Sequence, residues 1–380
     1  MKKTIFTIAL IAATVVAMAT THTVDNNAGS AAQFTDLQTA VDAAQAGDTI
    51  LVAPSPTSYG NITIKKQLVL IGSGYTGITP KIGVLNFENY NASNGSSGSF
   101  LSGFEITRVY FSAIHPDIPA YSGAYTSLSN ITLERNSISY VTFEAGGIRG
   151  TFGYSNIDLH NNIFYSIIDF GLQDNAYSNI NLNNNIFSGA YLKAAVNVIE
   201  NNGIEYIESY QSASGITVSN NIFMNGSYAF KDIRGMVVEN NIFYGMNLIP
   251  ENEYTDLDTL SYSINLNNNI TYLTPQDLTA NSWFAVGTNN VDSDPLFVDF
   301  PVDGAAFSIE HDYHLQAGSP GIGAGVNGEN LGIYDGMYPF PDKLDAKPKG
   351  PVMGRVEAIG SPSVPAGGTL EIRFNSSIEE

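Results

Sequence analysis

Through the middle of the chain apolar and polar residues alternate in short runs, as at Ile157 and Leu159 or Ile180 and Leu182. A two-residue period predicts strands with one buried face, and helical spacing is absent from these runs. The runs recur in one frame: NIDLHNNIF from Asn156, NINLNNNIF from Asn179, GITVSNNIF from Gly215 and GMVVENNIF from Gly235. Weaker copies flank them, NITLERNSI from Asn130 and SINLNNNIT from Ser263. Counting between Ile138, Ile163, Ile186, Ile222, Ile242 and Ile270 gives steps of 25, 23, 36, 20 and 28. The long step reads as an ordinary one plus an insertion of about a dozen residues around 202–214.

A repeat of this size holds three short strands with turns, which is one coil of a parallel β-solenoid. One coil cannot bury its own apolar face, so coils stack, pairing backbones at roughly 4.8 Å. Side chains at the same place in successive coils then lie above one another. The second asparagine of each pair, Asn162, Asn185, Asn221, Asn241 and Asn269, is expected to form an amide ladder in an inward turn, satisfying buried backbone groups. The Ile and Phe that follow are expected to stack in the core.

Ahead of the repeats, Thr35 or Asp36 can cap a helix with Leu37, Ala40, Val41 and Ala44 on one face and Gly47 at its end. Residues 49–53 and 62–71 alternate as strands. A helix placed there covers the open end of the first coil, where unpaired strand edges would invite aggregation.

Residues 1–19 read as a secretory signal peptide: Lys2 and Lys3, an apolar run from Ile5 to Val16, and a small-residue end cleaved after Ala19. The expected organisation continues with a flexible N-terminus at 20–33 and the capped solenoid at 34–338. A Pro- and Lys-rich linker at 339–351 and a short C-terminal strand segment at 352–380 complete it. No segment reaches the roughly 18 apolar residues of a membrane-spanning helix. The expected location is therefore extracellular or at the cell surface, with the periplasm as the alternative, and the chain is expected to be a monomer.

Charge narrows the partners. Removing Lys2 and Lys3 from the 16 basic residues leaves 14 against 36 acidic ones, a balance of −22. Such a chain has no basic footprint for nucleic acid. It also repels polyanionic sugars unless a local cationic strip or a divalent ion intervenes. Cysteine is absent, so no disulfide stabilises the exported chain.

The stretch from Ala40 to Gly74, the NNIF coils, DPLFVD from Asp294 and DYHLQAGSPGIGAG from Asp312 together resemble exported bacterial right-handed parallel β-helix proteins of the pectate-lyase-like superfamily. The resemblance covers about residues 33–338. It implies an all-β, single-stranded right-handed parallel β-helix with an N-terminal capping helix. That superfamily holds polysaccharide lyases, glycoside hydrolases, epimerases and tailspikes, so the resemblance transfers architecture and leaves activity open. Two departures stand in the closing segment, where Gly323 and Leu331 replace residues that are usually acidic.

Candidate chemistry comes from counting along the strand after each NNIF. Arg149, Gln173 and Lys231 are expected to stack on one outer face, with Lys193 or Asn197 between them and Arg234 close by. In a polysaccharide lyase, Lys231 or Arg149 would take the C5 proton of a uronate, while Gln173, Lys193 and Arg234 bind the sugar. Asp169, Asp174 and Asp232 would then hold calcium or sugar. A glycoside hydrolase would use two carboxylates across one bond, Asp169 and Asp174 being the nearest pair. The competing reading is a non-catalytic structural or adhesive β-helix whose charges pair across coils in solvent. The partner expected on the first readings is an extracellular polysaccharide, with Ca2+ as the candidate cofactor.

Overall fold

The computed structural model describes residues 19–341 apart from 75–76, 92–93, 113–126, 145–152, 172–175, 194–197, 202–203, 208–210, 213–214, 232, 250–263, 275–284 and 302–304, together with short strands between 352 and 377. The signal peptide expected at 1–19 thus falls, but for its last residue, outside the described residues. Two long sheets run the length of the body, one 11-stranded and one 13-stranded, with every coil-to-coil pairing parallel. The molecule is a right-handed parallel β-helix, the hand that connections between parallel strands take almost without exception.

At the N-terminal end, the helix Leu37–Ala43 is capped by Asp36, whose carboxylate accepts from the Thr39 N–H at 2.7 Å. Leu37, Ala40, Val41 and Ala44 are fully buried, so the helix seats on the first coil as its apolar face requires. The segment 20–33, expected to be flexible, instead supplies a strand: Thr21–Val24 pairs in parallel with Thr49–Val52. The His22 ring reaches Asp48 at 3.2 Å, fixing this strand to the first turn.

Left-handed backbone explains the asparagines. Asn130, Asn156 and Asn179 stand inside their strands at φ 56°, 51° and 55°, and Gly215 and Gly235 replace them in register at 93° and 78°. Asn and Gly tolerate this region best. The first residue of each pair is left-handed too: Arg135, Asn161, Asn184, Asn220, Asn240, Asn268 and Asn289 have φ between 53° and 61°.

The second residue of each pair builds the ladder. The backbone N–H of Asn162 donates to Asn185 Oδ1, Asn185 to Asn221, Asn221 to Asn241 and Asn241 to Asn269, at 2.7–2.9 Å. Each Nδ2 also donates to a strand carbonyl of the preceding coil, as Asn185 does to Leu159. The ladder is longer than the repeats suggested. Asn136 precedes Asn162 and Asn290 follows Asn269, and the Phe104 N–H donates to Asn136 Oδ1.

One expectation is corrected at this turn. The pairing aligns Ser137 with Ile163 and Ile138 with Phe164, so Ile138 is not the equivalent of Ile163. In the later coils only the phenylalanine faces the interior. Phe164, Phe187, Phe223 and Phe243 stack there with ring centroids 5.1, 4.2 and 4.9 Å apart. The isoleucines point the other way, because neighbouring strand residues face opposite sides. Ile163, Ile186, Ile222, Ile242 and Ile270 form a second apolar layer with Phe297, Tyr313, Leu331, Ile333 and Phe340.

That layer is made by the chain folding back. Residues 324–340 run from the last coils toward the earlier ones as a strap over the isoleucines, held by the first asparagines. Asn268 donates to the Ala324 carbonyl at 2.7 Å, Asn220 to Asn330 at 3.4 Å, Asn184 to Ile333 at 3.0 Å and Asn161 to Tyr338 at 2.8 Å. Asn240 accepts from the Val326 N–H at 2.9 Å. The strap lies so close that a Cβ on Gly332, already at φ +87°, would meet Ile242 Cδ1 at 2.9 Å. Leu331 is buried in this layer, which gives its apolar character a reason. Phe340 packs here as well, so the body extends past 338 into the segment expected as a linker. Residues 342–351 lie outside the described residues. Beyond them, Glu357–Ile359 pairs antiparallel with Glu371–Arg373, and Val352–Met353 with Ser376–Ser377.

The insertion in the long repeat step contains a hairpin, Val198–Asn201 against Ile204–Ile207. No described helix is long and apolar enough to cross a membrane.

Candidate functional site

The isoleucine face is occupied by the strap, and among the described residues no segment covers the adjoining face, whose outward side chains are partly exposed. In the first coils the strands Lys81–Asn91, Glu105–Ser112 and Ser137–Glu144 are long enough to serve both faces. Later coils break the same strand in two, as Ile186–Ser188 and Tyr191–Lys193, around left-handed Gly189. On the second of these faces Phe87, Phe111, Phe143 and Phe170 point inward and stack. Their neighbours therefore point outward.

Two outward columns result. One runs Asn86, Tyr110, Thr142, Asp169, Lys193, Lys231 in coil-to-coil register. The other, two residues earlier on each strand, runs Val84, Arg108, Tyr140, Ile167, Tyr191. Tyr228 extends it, its ring 4.7 Å from that of Tyr191.

Lys231 therefore stacks on Lys193 and Asp169, where the sequence count placed Gln173 and Arg149. The count slipped because the distance from the isoleucine to the column differs between coils, six residues from Ile163 to Asp169, seven from Ile186 to Lys193 and nine from Ile222 to Lys231. Lys193 Nζ lies 3.3 Å from Asp169 Oδ2, and the other oxygen of Asp169 accepts from the Gly171 N–H at 2.9 Å. Both side chains are about a third exposed or less, at 32% and 25%. No ion pair of Lys231 exists among the described residues. Arg149, Gln173, Asp174 and Asp232 lie outside the described residues. Arg234 is placed only by its backbone, in the strand Ile233–Arg234, which pairs with Gln211–Ser212.

Toward the N-terminal end of the face, Arg108 lies over the Tyr140 ring at 4.8 Å and the Tyr110 ring at 5.6 Å, and donates to Tyr110 Oη at 2.8 Å. Such stacking fixes the guanidinium plane. The sequence reading passed over these residues. Their signal was the alternation RVYF from Arg108 to Phe111, which puts Arg and Tyr on one side and Val and Phe on the other.

No group of three or more His, Asp or Glu side chains that could hold a metal ion occurs among the described residues. Asp169, the described member of the expected calcium set, faces an ammonium group instead. A shallow cleft at the C-terminal end of the solenoid is lined by Tyr272, Thr274, Asp292 and Asp294. Asp292 is engaged by the Thr271 hydroxyl at 3.1 Å and Asp294 by the Leu296 N–H at 2.8 Å.

No family model matches the chain, and no curated protein matches it. Among solved structures the chain is similar to a mutant of pectin methylesterase in complex with hexasaccharide IV, with a TM-score of 0.24 and 11% identity. The match covers 78% of this chain and 93% of that one. The chemistry of the open face is accordingly read from its own side chains.

Proposed function

We propose that the chain binds an acidic polysaccharide along the open face, outside the cell or at its surface. The observation that carries this reading is the column Asp169, Lys193, Lys231, beside the rings of Tyr191 and Tyr228. Two ammonium groups at adjacent coil positions, with one carboxylate at the end of the column beside Lys193, leave net positive charge among the described residues of this column, on a chain of formal charge −20. A uronate carboxylate is the complement of that patch, and tyrosine rings suit the apolar faces of sugars. A stack of coils repeats at a constant spacing, as does a polymer lying along it.

The test is binding to immobilised polyuronate at low and high salt, with and without calcium. The double variant Lys193→Ala, Lys231→Ala should bind about tenfold more weakly, the equivalent of ~1.4 kcal/mol, and the difference should shrink at high salt. Equal binding by the double variant and the wild type removes the reading. Absorbance of unsaturated uronate, followed in the same samples, separates the activities. A rise that depends on Lys231 makes the chain a polysaccharide lyase, and binding without a rise leaves a binding protein.

A further inference from the structure

The first strand begins one residue past the bond that the sequence marks for cleavage. Thr21–Val24 is the terminal strand of the 11-stranded sheet, and residues 1–19 read as a secretory signal peptide ending Ala17-Met18-Ala19. Ala19 and Thr20 are both exposed, yet Thr20 is held at both of its backbone groups. Its N–H donates to Asp48 Oδ1 at 2.7 Å, and its carbonyl accepts from the Thr49 N–H at 2.9 Å. Asp48 is only 3% exposed. Its other oxygen accepts from the Gln45 N–H at 2.7 Å and lies 3.2 Å from Nε2 of His22, its one ionisable partner among the described residues. Burial opposes the charged form of Asp48, but hydrogen bonds from Thr20, Gln45 and His22 outweigh it and hold the carboxyl below its ordinary value. The Asp48 carbonyl accepts from the Val69 N–H at 3.0 Å, which ties this residue to the next coil.

A buried carboxylate is costly unless a cation pairs with it. Here one of its donors is the nitrogen of the residue that cleavage would make the first of the chain. Hydrolysis of the Ala19–Thr20 bond adds water across it: Ala19 leaves as a carboxylate, and Thr20 keeps its nitrogen as an α-amine that takes up a proton. That nitrogen already stands at hydrogen-bonding distance from Asp48 Oδ1. Cleavage therefore exchanges a neutral donor for a charged one without moving the strand, and opposite charges in contact bind more strongly than an amide on the same carboxylate. The register is strict. A chain beginning at Ala19 carries its amine one residue, about 3.8 Å, farther along, and one beginning at Thr21 lacks the donor.

We propose that Asp48 is the docking site for the α-ammonium group of Thr20, which a signal peptidase creates by removing residues 1–19, and that this processing locks the first strand onto the solenoid. The uncleaved chain has the strand without the charge, and the released chain has both. The N-terminal end of the solenoid therefore closes fully only after export. His22 belongs to the same lock, its ring touching Asp48 and packing edge-on against Phe34 with centroids 5.7 Å apart.

The experiment exports the full chain from a bacterial host and reads the first residue of the purified protein by mass spectrometry, expected to be Thr20. The α-amine is then challenged with cyanate, which carbamylates only the unprotonated amine, and the product is quantified on the N-terminal peptide. A form beginning at Ala19 and the Asp48→Asn variant are treated alongside. The Thr20 amine of the wild type should react about tenfold more slowly than the amine of either, because the pair keeps it protonated. Both altered forms should melt at lower temperature, and starting the Asp48→Asn variant at Ala19 should add no further drop. Should Asp48→Asn fail to fold, the Thr20 and Ala19 forms, both with Asp48 intact, decide the matter by themselves. A first residue other than Thr20 overturns the proposal, and so does equal reactivity of the Thr20 and Ala19 amines.

Discussion

One outward column of the solenoid passes through two environments. In the early coils it reads Lys81, Glu105, Ser137, and in the later ones Ile163, Ile186, Ile222, Ile242, Ile270. Strand, direction and coil position are the same throughout. Lys81 and Glu105 are exposed enough to pair in solvent, Nζ to Oε2 at 3.0 Å, whereas the isoleucines are buried. The column changes character near the coil where the strap ends, at Asn161 and Tyr338. Outward is therefore not the same as solvent-facing, and a column is apolar over the length for which something covers it.

The sharpest way to break this comparison is to place the same charge in both halves. Ile222→Asp puts a carboxylate under the strap, with apolar neighbours and no cation, and should cost about 3–5 kcal/mol or displace the strap altogether. Ser137→Asp lies beyond the strap and should change stability by no more than about 0.5 kcal/mol. Urea unfolding of the two variants measures the difference. Equal midpoints would mean that the strap does not bury the isoleucine layer in solution.

The two asparagines of each pair allow a finer test. Asn221 is part of the inner ladder, donating to Leu182 at 2.8 Å and accepting from the Asn185 N–H at 2.7 Å. Asn221→Ala leaves these groups unpaired in the core and should lower global stability by about 1–3 kcal/mol. Asn184 holds the strap from outside. Asn184→Gly keeps the left-handed backbone available and should cost about 1 kcal/mol, concentrated in faster amide exchange over residues 331–338. Exchange that quickens equally across the coils in Asn184→Gly would show that the strap and the solenoid open as one unit.

Much of this was legible in the sequence for a physical reason. The ladder repeats because stacked side chains must satisfy one another, so Asn162, Asn185, Asn221, Asn241 and Asn269 announced it. Asn136 and Asn290 escaped because the apolar residues beside them differ: Ser137 and Ile138 follow one, Val291 follows the other. The strap was the larger omission, although NNIF held the signal. A strand with one buried face tolerates one apolar residue of two, and two in succession demand a cover on each side. The open face was harder to read. Its columns depend on pairing register and coil length: the column stands six residues after Ile163 at Asp169, seven after Ile186 at Lys193 and nine after Ile222 at Lys231, so a uniform count of about ten reached Gln173 in place of Asp169.

The smallest effect concerns the edge of the strap, where two carboxylates meet. Glu239, flanked in register by Ser219 and Asn267, is opposed across the junction by Glu329, which accepts from Asn240 at 3.1 Å. Burial, and then the charge of Glu329, raise the Glu239 carboxyl above its ordinary value. A raised carboxyl favours the folded arrangement below the unfolded pKa, and that contribution is lost as pH rises through the folded value. Docking of the strap at Glu329 should therefore be tighter in mild acid, just above the ordinary carboxylate range, than at neutral pH. Glu239→Gln removes the charge and should protect amides 326–332 better than the wild type at pH 7, with the advantage fading as the pH approaches that range. The comparison must be local and relative to the wild type, because other carboxylates respond in the opposite sense: hydrogen bonds from Thr39 hold Asp36 below its ordinary value, so the helix cap weakens in acid. A Glu239→Gln difference that stays constant between the two pH values would show that the two carboxylates do not sense each other across the junction.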